Sequence, residues 1–446
     1  MRTILNMAGP LQGLLAPQHP VEGERYRLMR FVVRQPVEEG LLLYHVMTKS
    51  LLLLDKDEAD ALENDPSAVP GLVEGWFAVP ESHDDLKLAR EVRAVGRMLS
   101  KPVKGISNYT ILTTTDCNAR CFYCYEKGRS RIPMSDEIAD ATARHIIKNS
   151  TGETIRISWF GGEPLFNKRI ITSICSKLTD AGVSFRSSMV SNGLLFDEGI
   201  VAEAVDLWKL KKVQITLDGT EEVYNRVKNY VNLEGNAFRE VLRNIHLLVD
   251  AGVRVSIRLN IDRHNADDLF VLADNLGREF GGNTLVSVYS HSLFKTCDSR
   301  AAVSRDDVWR SVLFEKQKLL RQKLLDLGLH KPGKLSHSLK LNRCMADNDS
   351  SVVILPDGHI GKCEHFTDSE WFSHVLSEES DERLIASFKE TRPEISACSE
   401  CALYPDCIRL SKCEETVNCY QEDRDDKILT LRGQLLSYYK RHAVSD

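Results

Sequence analysis

Short apolar runs alternate with amphipathic stretches between about residue 109 and residue 290 of this chain. Six of the runs are rich in β-branched or apolar residues and predict strands: Tyr109–Thr115, Thr154–Phe160, Ser184–Val190, Val213–Asp218, Val253–Asn260 and Thr284–Tyr289. The stretches between them have helical periodicity, as in Ser135–Asn149, where Ser135 suits an N-cap, and in Phe238–Asp250. This alternation predicts an α/β fold: parallel strands with right-handed crossovers, in an open or closed barrel.

Different patterns flank the alternation. The N-terminal part has strand-like runs at Tyr26–Gln35 and Leu41–Met47 and helical patterns at Asp55–Asn64 and Leu86–Leu99. A charged helical run, Asp307–Leu327, follows the alternation, and the tail predicts a closing helix. We therefore divide the chain into residues 1–100, 101–305, 306–343 and 344–446.

Composition narrows the class of protein. With 446 residues and 42% hydrophobic content, the chain can form a large core in more than one domain. A net charge of −6 argues against a general nucleic-acid or anionic-membrane binder. There is no signal-peptide pattern, and no apolar run approaches the roughly 20 residues of a membrane span. We therefore expect a cytoplasmic protein, in which the 12 cysteines indicate metal clusters rather than disulfides.

Cys117, Cys121 and Cys124 lie directly after the first predicted strand, in a C-x3-C-x2-C spacing. Three thiolates in one loop can hold three irons of a [4Fe–4S] cluster and leave the fourth iron open. Tetrahedral zinc is the alternative, but structural zinc sites usually close with four ligands. The position of the loop also favours a catalytic role for it, since the active sites of such barrels lie at the carboxyl ends of the strands.

This triad, with Tyr123 before its last cysteine, resembles the signature of the radical S-adenosylmethionine (radical SAM) superfamily. The resemblance implies a [4Fe–4S] cluster whose open iron is chelated by the methionyl amine and carboxylate of S-adenosyl-L-methionine. It implies that an electron from the cluster cleaves the sulfonium and gives a 5′-deoxyadenosyl radical, which abstracts a substrate hydrogen. A reductant such as flavodoxin or ferredoxin would supply the electron. The protein itself would bind and orient the cofactor and the substrate and exclude side reactions.

Motifs also occur at the ends of the following strands. Each is weak evidence for a cofactor site by itself, but their order along the chain strengthens that interpretation. Gly161-Gly162-Glu163-Pro164 ends the second strand and resembles the family's GGEP motif, which implies that Gly161, Gly162 and Glu163 contact the methionyl amine. Ser191 and Thr216 end the next two strands and resemble segments that line the ribose and the methionyl carboxylate. Arg258, on the fifth strand, is a candidate partner of that carboxylate, although a structural ion pair or solvent exposure is about as common.

A second group of cysteines lies near the C-terminus: Cys344, Cys363, Cys398, Cys401, Cys407, Cys413 and Cys419. On spacing alone zinc is a serious alternative. The order of these cysteines, together with the triad upstream, resembles a SPASM domain, a C-terminal extension of peptide-modifying radical SAM enzymes that commonly carries two auxiliary iron–sulfur clusters.

The resemblance assigns the auxiliary cysteines to two sets. The outer cluster would be held by Cys398, Cys401, Cys407 and Cys419, and the inner cluster by Cys344, Cys363 and Cys413. The spacing before Cys413 is longer than usual in the family, and a cysteine often found shortly after the first is absent here. The fourth inner ligand is therefore open: Asp347, Asp349, Ser350, water or a sulfur of the substrate.

Glu364 directly follows Cys363. In related formylglycine-forming maturases a carboxylate at this place is a proposed acid/base group, which makes Glu364 a candidate to take a proton from the substrate. The alternative is a hydrogen bond that supports the cluster, or plain solvation.

The first 100 residues resemble the winged-helix peptide-recognition element of ribosomal-peptide maturases, which pairs a leader peptide with a sheet edge. A domain that only caps the barrel is the alternative. We therefore predict a partial (β/α)6 TIM-like barrel with an N-terminal winged-helix-like domain and a C-terminal SPASM domain. The predicted function is oxidative cross-linking of a ribosomally made precursor peptide. The alternatives are a sulfatase-maturating, formylglycine-forming enzyme and a non-catalytic zinc or iron–sulfur module for binding or electron transfer.

Overall fold

The computed structural model describes residues 1–6, 15–99, 105–124, 126–150, 153–231, 234–293, 307–331, 333–366, 369–377, 379–413 and 416–442. Cys297 lies outside these residues, and Cys175 is buried in a helix, as a core residue would be. The described strands are β1 (Arg2–Leu5), β2 (Tyr26–Leu28), β3 (Val32–Val37), β4 (Gly40–His45), β5 (Leu51–Leu54), β6 (Ala78–Pro80), β7 (Asn108–Leu112), β8 (Ile155–Phe160), β9 (Phe185–Ser191), β10 (Leu210–Thr216), β11 (Arg254–Ile261), β12 (Val286–Ser292), β13 (Ser351–Ile354), β14 (His359–Gly361) and β15 (Trp371–His374). The described α-helices are α1 (Lys56–Asn64), α2 (Asp85–Leu99), α3 (Asp136–Asn149), α4 (Lys168–Asp180), α5 (Glu198–Asp206), α6 (Glu221–Lys228), α7 (Ala237–Asp250), α8 (Asp268–Phe280), α9 (Asp307–Asp326), α10 (Glu382–Ser387) and α11 (Gln421–His442).

The chain forms two compact units that each combine distant segments. The first unit comprises Met1–Pro102, Pro332–Arg343 and Glu390–Asp446, and the second comprises Val103–Lys331 and Cys344–Lys389. The predicted segment 344–446 is thus divided, because its first part pairs with a strand of the barrel.

The second unit is built on one sheet, ordered β12-β11-β10-β9-β8-β7-β13-β14-β15. The strands from β7 to β12 run parallel, as the alternation predicted, and the helices between them are the crossovers. Strand β13 adds to the free edge of β7 in parallel, and β14 and β15 follow in antiparallel. These findings confirm a mixed α/β fold with a parallel sheet.

Alternation along the strands creates two different sheet faces. One face carries residues such as Ile157, Trp159 and Ile257, which lie in one buried cluster with the apolar sides of the helices. Helix α3 begins as predicted, since the Ser135 hydroxyl accepts a hydrogen bond from the Ile138 N–H at 3.3 Å. The opposite face is polar, and the carboxyl ends of β7 to β11 lead to the motifs named above.

The first unit contains a four-stranded antiparallel sheet in the order β1-β5-β4-β3, and β2 pairs with β6 in a second sheet. The prediction of a single strand over Tyr26–Gln35 is therefore wrong. The Val32 N–H donates to the Met29 carbonyl at 3.0 Å, and this turn sends β2 and β3 into different sheets. Apolar residues of β3 to β5 share a core with helix α11. Among the described helices, none is long and apolar enough to cross a membrane.

Candidate functional site

The cysteine loop is packed against the glycine pair that follows β8. The Gly162 N–H donates to the Thr114 carbonyl at 3.0 Å, and the Glu163 N–H donates to the Asp116 carbonyl at 2.9 Å. A Cβ on Gly161 would lie 2.1 Å from the Thr114 oxygen, and one on Gly162 would lie 2.3 Å from the Asp116 oxygen. Gly161 also has a φ of +127°. Only glycine permits this approach, which fixes the start of the loop beside β8.

Glu163 is fully buried at the same place. Its carboxylate accepts hydrogen bonds from the Ser191 hydroxyl at 2.9 Å, the Asn192 N–H at 2.8 Å and the Leu165 N–H at 3.2 Å. Burial raises the pKa of Glu163 to about 7, against the lowering effect of these donors. The carboxyl group is therefore held in one orientation and can change its charge near neutral pH.

Asn192 connects this group to the cysteine loop. Its amide nitrogen lies 2.7 Å from the Asn118 side-chain oxygen and 3.8 Å from the Cys117 sulfur. The Cys117 sulfur also accepts the Ala119 N–H at 3.3 Å. Hydrogen bonds of this kind to sulfur are typical of iron–sulfur ligands and tune their potentials.

The thiols of the triad influence one another. Burial, with smaller contributions from Glu163, Cys121 and Cys124, raises the pKa of Cys117 to about 12, against the lowering effect of the Ala119 N–H. Burial also raises the pKa of Cys124, with a contribution from Cys121. A bound metal must therefore displace protons from these thiols, as metal ligation generally does.

A buried ion pair holds the other side of the loop. Lys228, at the end of α6, and Asp218, after β10, form an ion pair of 2.8 Å with both side chains almost completely buried. The Tyr123 hydroxyl donates to Asp218 at 2.7 Å and lies 3.0 Å from the Lys228 ammonium. Burial works against the Lys228 charge, but Asp218 and Tyr123 hold its pKa well above the ordinary value. The aromatic residue before Cys124 is thereby fixed to the barrel.

Backbone hydrogen bonds complete this attachment. The Arg120 N–H donates to the Lys228 carbonyl at 2.8 Å, and the Val231 N–H donates to the Asn118 carbonyl at 2.9 Å. Both loop residues lie between Cys117 and Cys121, so the segment after α6 supports the triad along its length.

The remaining predicted cofactor residues border this ion pair. Thr216 accepts a hydrogen bond from Lys228 at 2.6 Å. Arg258 donates to the Asn260 side-chain oxygen at 2.9 Å, and the Asn260 amide donates to Asp218 at 2.9 Å and to Tyr123 at 3.1 Å. The structure therefore places Thr216 and Arg258 beside the Tyr123 anchor and Ser191 beside Glu163.

Sequence reasoning missed several residues of this site. Asp218 and Asn260 each occur at a strand end, and Asn192 follows Ser191, so their position in the motifs was a usable signal. Lys228 gave no such signal, because it lies at the end of a helix ten residues beyond Asp218, and only the tertiary structure pairs them.

Cys344, Cys363 and Glu364 belong to the second unit. The Cys344 sulfur accepts the Ala346 N–H at 3.4 Å, which repeats the arrangement at Cys117. Glu364 is half-buried in a turn, and the carbonyl of the next residue, His365, accepts a hydrogen bond from Arg129 at 3.3 Å. Arg129 follows the triad by five residues, so this turn lies against the extended cysteine loop.

The other cysteines of the C-terminal group belong to the first unit. Burial raises the pKa of Cys407. Lys427 lowers this pKa, whereas Cys419 and Cys398 raise it further. Burial likewise raises the pKa of Cys401, to which Cys407 and Cys419 contribute. The four cysteines of the predicted outer set are thus close enough for their charges to interact.

Among the described residues, no three His, Cys, Asp or Glu side chains converge closely enough to hold a single metal ion. The thiolates of a [4Fe–4S] cluster bind different irons, so its ligands do not need to meet at one point. The donor set of the triad fits such a cluster: three neighbouring thiols, an N–H directed at sulfur and a buried carboxyl group alongside.

Comparison with known proteins gives a family match for part of the barrel. Residues 111–275 match the Radical SAM superfamily. Fe-coproporphyrin III synthase of Methanosarcina barkeri is 25% identical over 214 residues, which cover 47% of this chain and 51% of that protein. GTP 3′,8-cyclase of Clostridium perfringens is 24% identical over 283 residues, covering 60% of this chain and 84% of the cyclase. The chain spans about half the length of several curated relatives that it matches, from 42% to 57%.

Solved structures share the fold. The structure of anSMEcpe with bound AdoMet superimposes with a TM-score of 0.54 at 14% identity, covering 76% of this chain and 98% of that chain. Streptococcus suis SuiB gives a TM-score of 0.51 at 12% identity, with 86% and 94% covered. The family match thus covers residues 111–275, which correspond to a radical SAM domain, and the similarities to solved structures show a shared fold.

Proposed function

We propose that this protein is a radical SAM enzyme that modifies a ribosomally synthesised precursor peptide by oxidative cross-linking, through a carbon–carbon or a thioether bond. The observation that carries the radical chemistry is the packing of the cysteine loop on Gly161 and Gly162, with Glu163 buried beside Cys117. This arrangement joins a three-thiol site to the strand end that the resemblance assigns to the methionyl amine.

Each part of the site has a proposed task. Cys117, Cys121 and Cys124 would hold the cluster, and Glu163 with the glycine backbone would orient the methionyl amine. Ser191, Thr216 and Arg258 would line the ribose and carboxylate. When bound, the cluster and S-adenosyl-L-methionine supply the radical that removes a hydrogen atom from the substrate. The buried anchor at Lys228 keeps the loop from moving as the site fills.

Two observations support a peptide substrate. The sheet of the first unit ends in β3, an edge strand in a small antiparallel sheet, which is the kind of surface that takes up an extended leader peptide. anSMEcpe, whose fold this chain shares, has also been solved with the Cp18Cys peptide bound.

Oxidative cross-linking removes one hydrogen atom, one proton and one electron from the peptide. Glu364 would accept the proton, since its turn lies against the cysteine loop. The electron would pass to an auxiliary cluster on the C-terminal cysteines, for which the neighbouring set Cys398, Cys401, Cys407 and Cys419 is the proposed outer site.

Mass spectrometry tests the proposed reaction. The reconstituted protein, S-adenosyl-L-methionine, dithionite and a short peptide encoded beside its gene are incubated without oxygen. We expect a peptide lighter by two hydrogen atoms. The Glu364→Gln variant should still form 5′-deoxyadenosine but release little of that product. A peptide of unchanged mass despite 5′-deoxyadenosine formation would contradict the peptide assignment and leave the radical site intact.

Sulfatase maturation is the second candidate, favoured by the Cys363-Glu364-His365 turn. It predicts formylglycine in place of a Cys or Ser in a sulfatase-derived peptide. Assaying the two peptides side by side separates the two reactions.

A further inference from the structure

The polar face of the barrel sheet is strongly cationic at the end away from the cysteine loop. Arg156 on β8 lies directly opposite Arg186 on β9, and Lys212 on β10 lies directly opposite Arg254 on β11. All four residues are exposed. They alternate along their strands with residues that pack under the helices, so they share the face that the helices leave uncovered.

No carboxylate balances these charges within the sheet. The six strands from β7 to β12 contain no Asp or Glu, although the whole chain has a net charge of −6. Arg156 makes one long hydrogen bond, of 3.4 Å, to Asn108. Among the described residues, Arg186, Lys212 and Arg254 form no ion pair. Like charges opposite each other on neighbouring strands are destabilising, so a bound anion would relieve a strain of the free protein.

The dimensions of this group define the ligand. Neighbouring strands are about 4.8 Å apart, so four strands place the cations across roughly 15 Å, the length of four or five extended residues. On β11, Asn260 lies beside Tyr123, and the distance along the strand from Arg254 to Asn260 is about 20 Å, the length of roughly six extended residues. Lys212 and Arg254 are level with Ser158 and Ser188, two residues nearer the cysteine loop than Arg156 and Arg186. The next pair on the same face is Gln214 and Ser256, which are also polar.

We propose that Arg156, Arg186, Lys212 and Arg254 bind an acidic segment of the substrate peptide, about six residues away from the residue that is modified. The proposal rests on the proposed peptide substrate and adds its chemistry: several carboxylates within four or five residues. Guanidinium groups suit carboxylates because they can donate two parallel hydrogen bonds. A linear phosphate chain carries similar charge, and the test therefore includes one.

Fluorescence anisotropy with a labelled hexaglutamate peptide measures this binding on the full-length, cluster-loaded protein. The Arg186→Gln/Lys212→Gln double variant should weaken binding about ten-fold, because each exposed charge pair contributes a factor of about three. Arg144→Gln, which removes an exposed arginine from helix α3 of the same unit, should leave binding unchanged. Rising salt concentration should weaken binding to the unmodified protein more than to the double variant.

Three results would overturn the assignment: equal binding by both variants, equal loss in both variants, or binding of inorganic triphosphate but not of hexaglutamate at this surface. Circular dichroism confirms that the variants are folded. Because the assay needs no radical chemistry, its outcome is independent of the proposed reaction. If the unmodified protein cross-links its peptide and the double variant does so with the same KM, this inference is wrong and the proposed reaction stands. If the protein binds hexaglutamate through these four residues but modifies no peptide, the proposed reaction is wrong and the anion site stands.

Discussion

Gly161 and Gly162 show how much of the site could be predicted residue by residue. The motif suggested a role for both glycines, but only the structure gives the reason, which is contact with the Thr114 and Asp116 carbonyls. The same holds for Glu163, whose hydrogen-bond donors come from its own turn (Leu165) and from the end of β9 (Ser191 and Asn192). Lys228 could not be predicted, since nothing local marks a lysine that will be buried beside Asp218.

Substituting Gly162 tests the packing of the loop. In Gly162→Ala the added carbon would meet the Asp116 carbonyl at 2.3 Å, so the loop must move away from β8. Displacements of this size can slow a reaction about a hundred-fold, and we expect such a loss in 5′-deoxyadenosine formation, with less iron retained per chain. Gly199→Ala is the control, because its new carbon has only a contact of 3.4 Å. Equal activity of the two variants would show that the approach is not required.

Removing Lys228 tests the buried anchor. Lys228→Met leaves the Asp218 carboxylate buried without its cation, which should lower the free energy of unfolding by about 3–5 kcal/mol. Adding Asp218→Asn should recover part of this loss. Arg226→Met, which breaks an exposed pair with Glu222 on the same helix, should cost less than about 1 kcal/mol. Urea denaturation measures all three, and a Lys228→Met variant as stable as Arg226→Met would refute the anchoring role.

At the scale of elements, the parallel strands and their helices were predictable because each strand is short, apolar and followed by a periodic helix. The bounds of β8, for example, differ from the predicted Thr154–Phe160 by one residue. The position of β13 was not predictable, since its pairing with β7 joins residues more than 230 positions apart. The break between β2 and β3 was missed for a related reason: the local pattern is continuous, and the choice of partner strands divides it.

The turn after β4 makes the first unit sensitive to acid. His45 is fully buried, its Nδ1 accepts the N–H groups of Met47 and Thr48, and its Nε2 lies 3.1 Å from the Trp76 carbonyl. The imidazole is therefore neutral, and burial lowers its pKa to about 4. Between about pH 6.5 and pH 4 the unfolded chain binds the extra proton, so stability falls as the pH falls through this range.

Hydrogen exchange measures this effect. Amides of β4 and β5 should lose about 2 kcal/mol of protection between pH 7 and pH 5, after correction for intrinsic exchange. His45→Gln cannot take up the proton and should show little of this pH dependence, although it starts from lower stability. The same pH dependence in both proteins would exclude His45 as its source.

At the scale of the whole molecule, the sequence predicted a radical SAM domain, which the family match over residues 111–275 supports, but it did not predict how the chain divides into units. Two of the three cysteines predicted for the inner cluster lie in the second unit, and Cys413 lies in the first. Local spacing cannot show this division, because both units are assembled from distant segments. The proposed substrate peptide likewise cannot be identified from the chain, except through the charges that we propose bind it.

The most direct test of the central claim is anaerobic reconstitution with iron and sulfide, followed by S-adenosyl-L-methionine and dithionite. We expect about twelve irons and twelve sulfides per chain if all three clusters form, and 5′-deoxyadenosine as a product. About four of each would retain the radical site and assign the C-terminal cysteines to zinc. Replacing Cys117, Cys121 and Cys124 together by Ala should abolish 5′-deoxyadenosine formation. If that triple variant still produced it, or if the unmodified protein bound only zinc and cleaved no cofactor, the radical mechanism would be wrong.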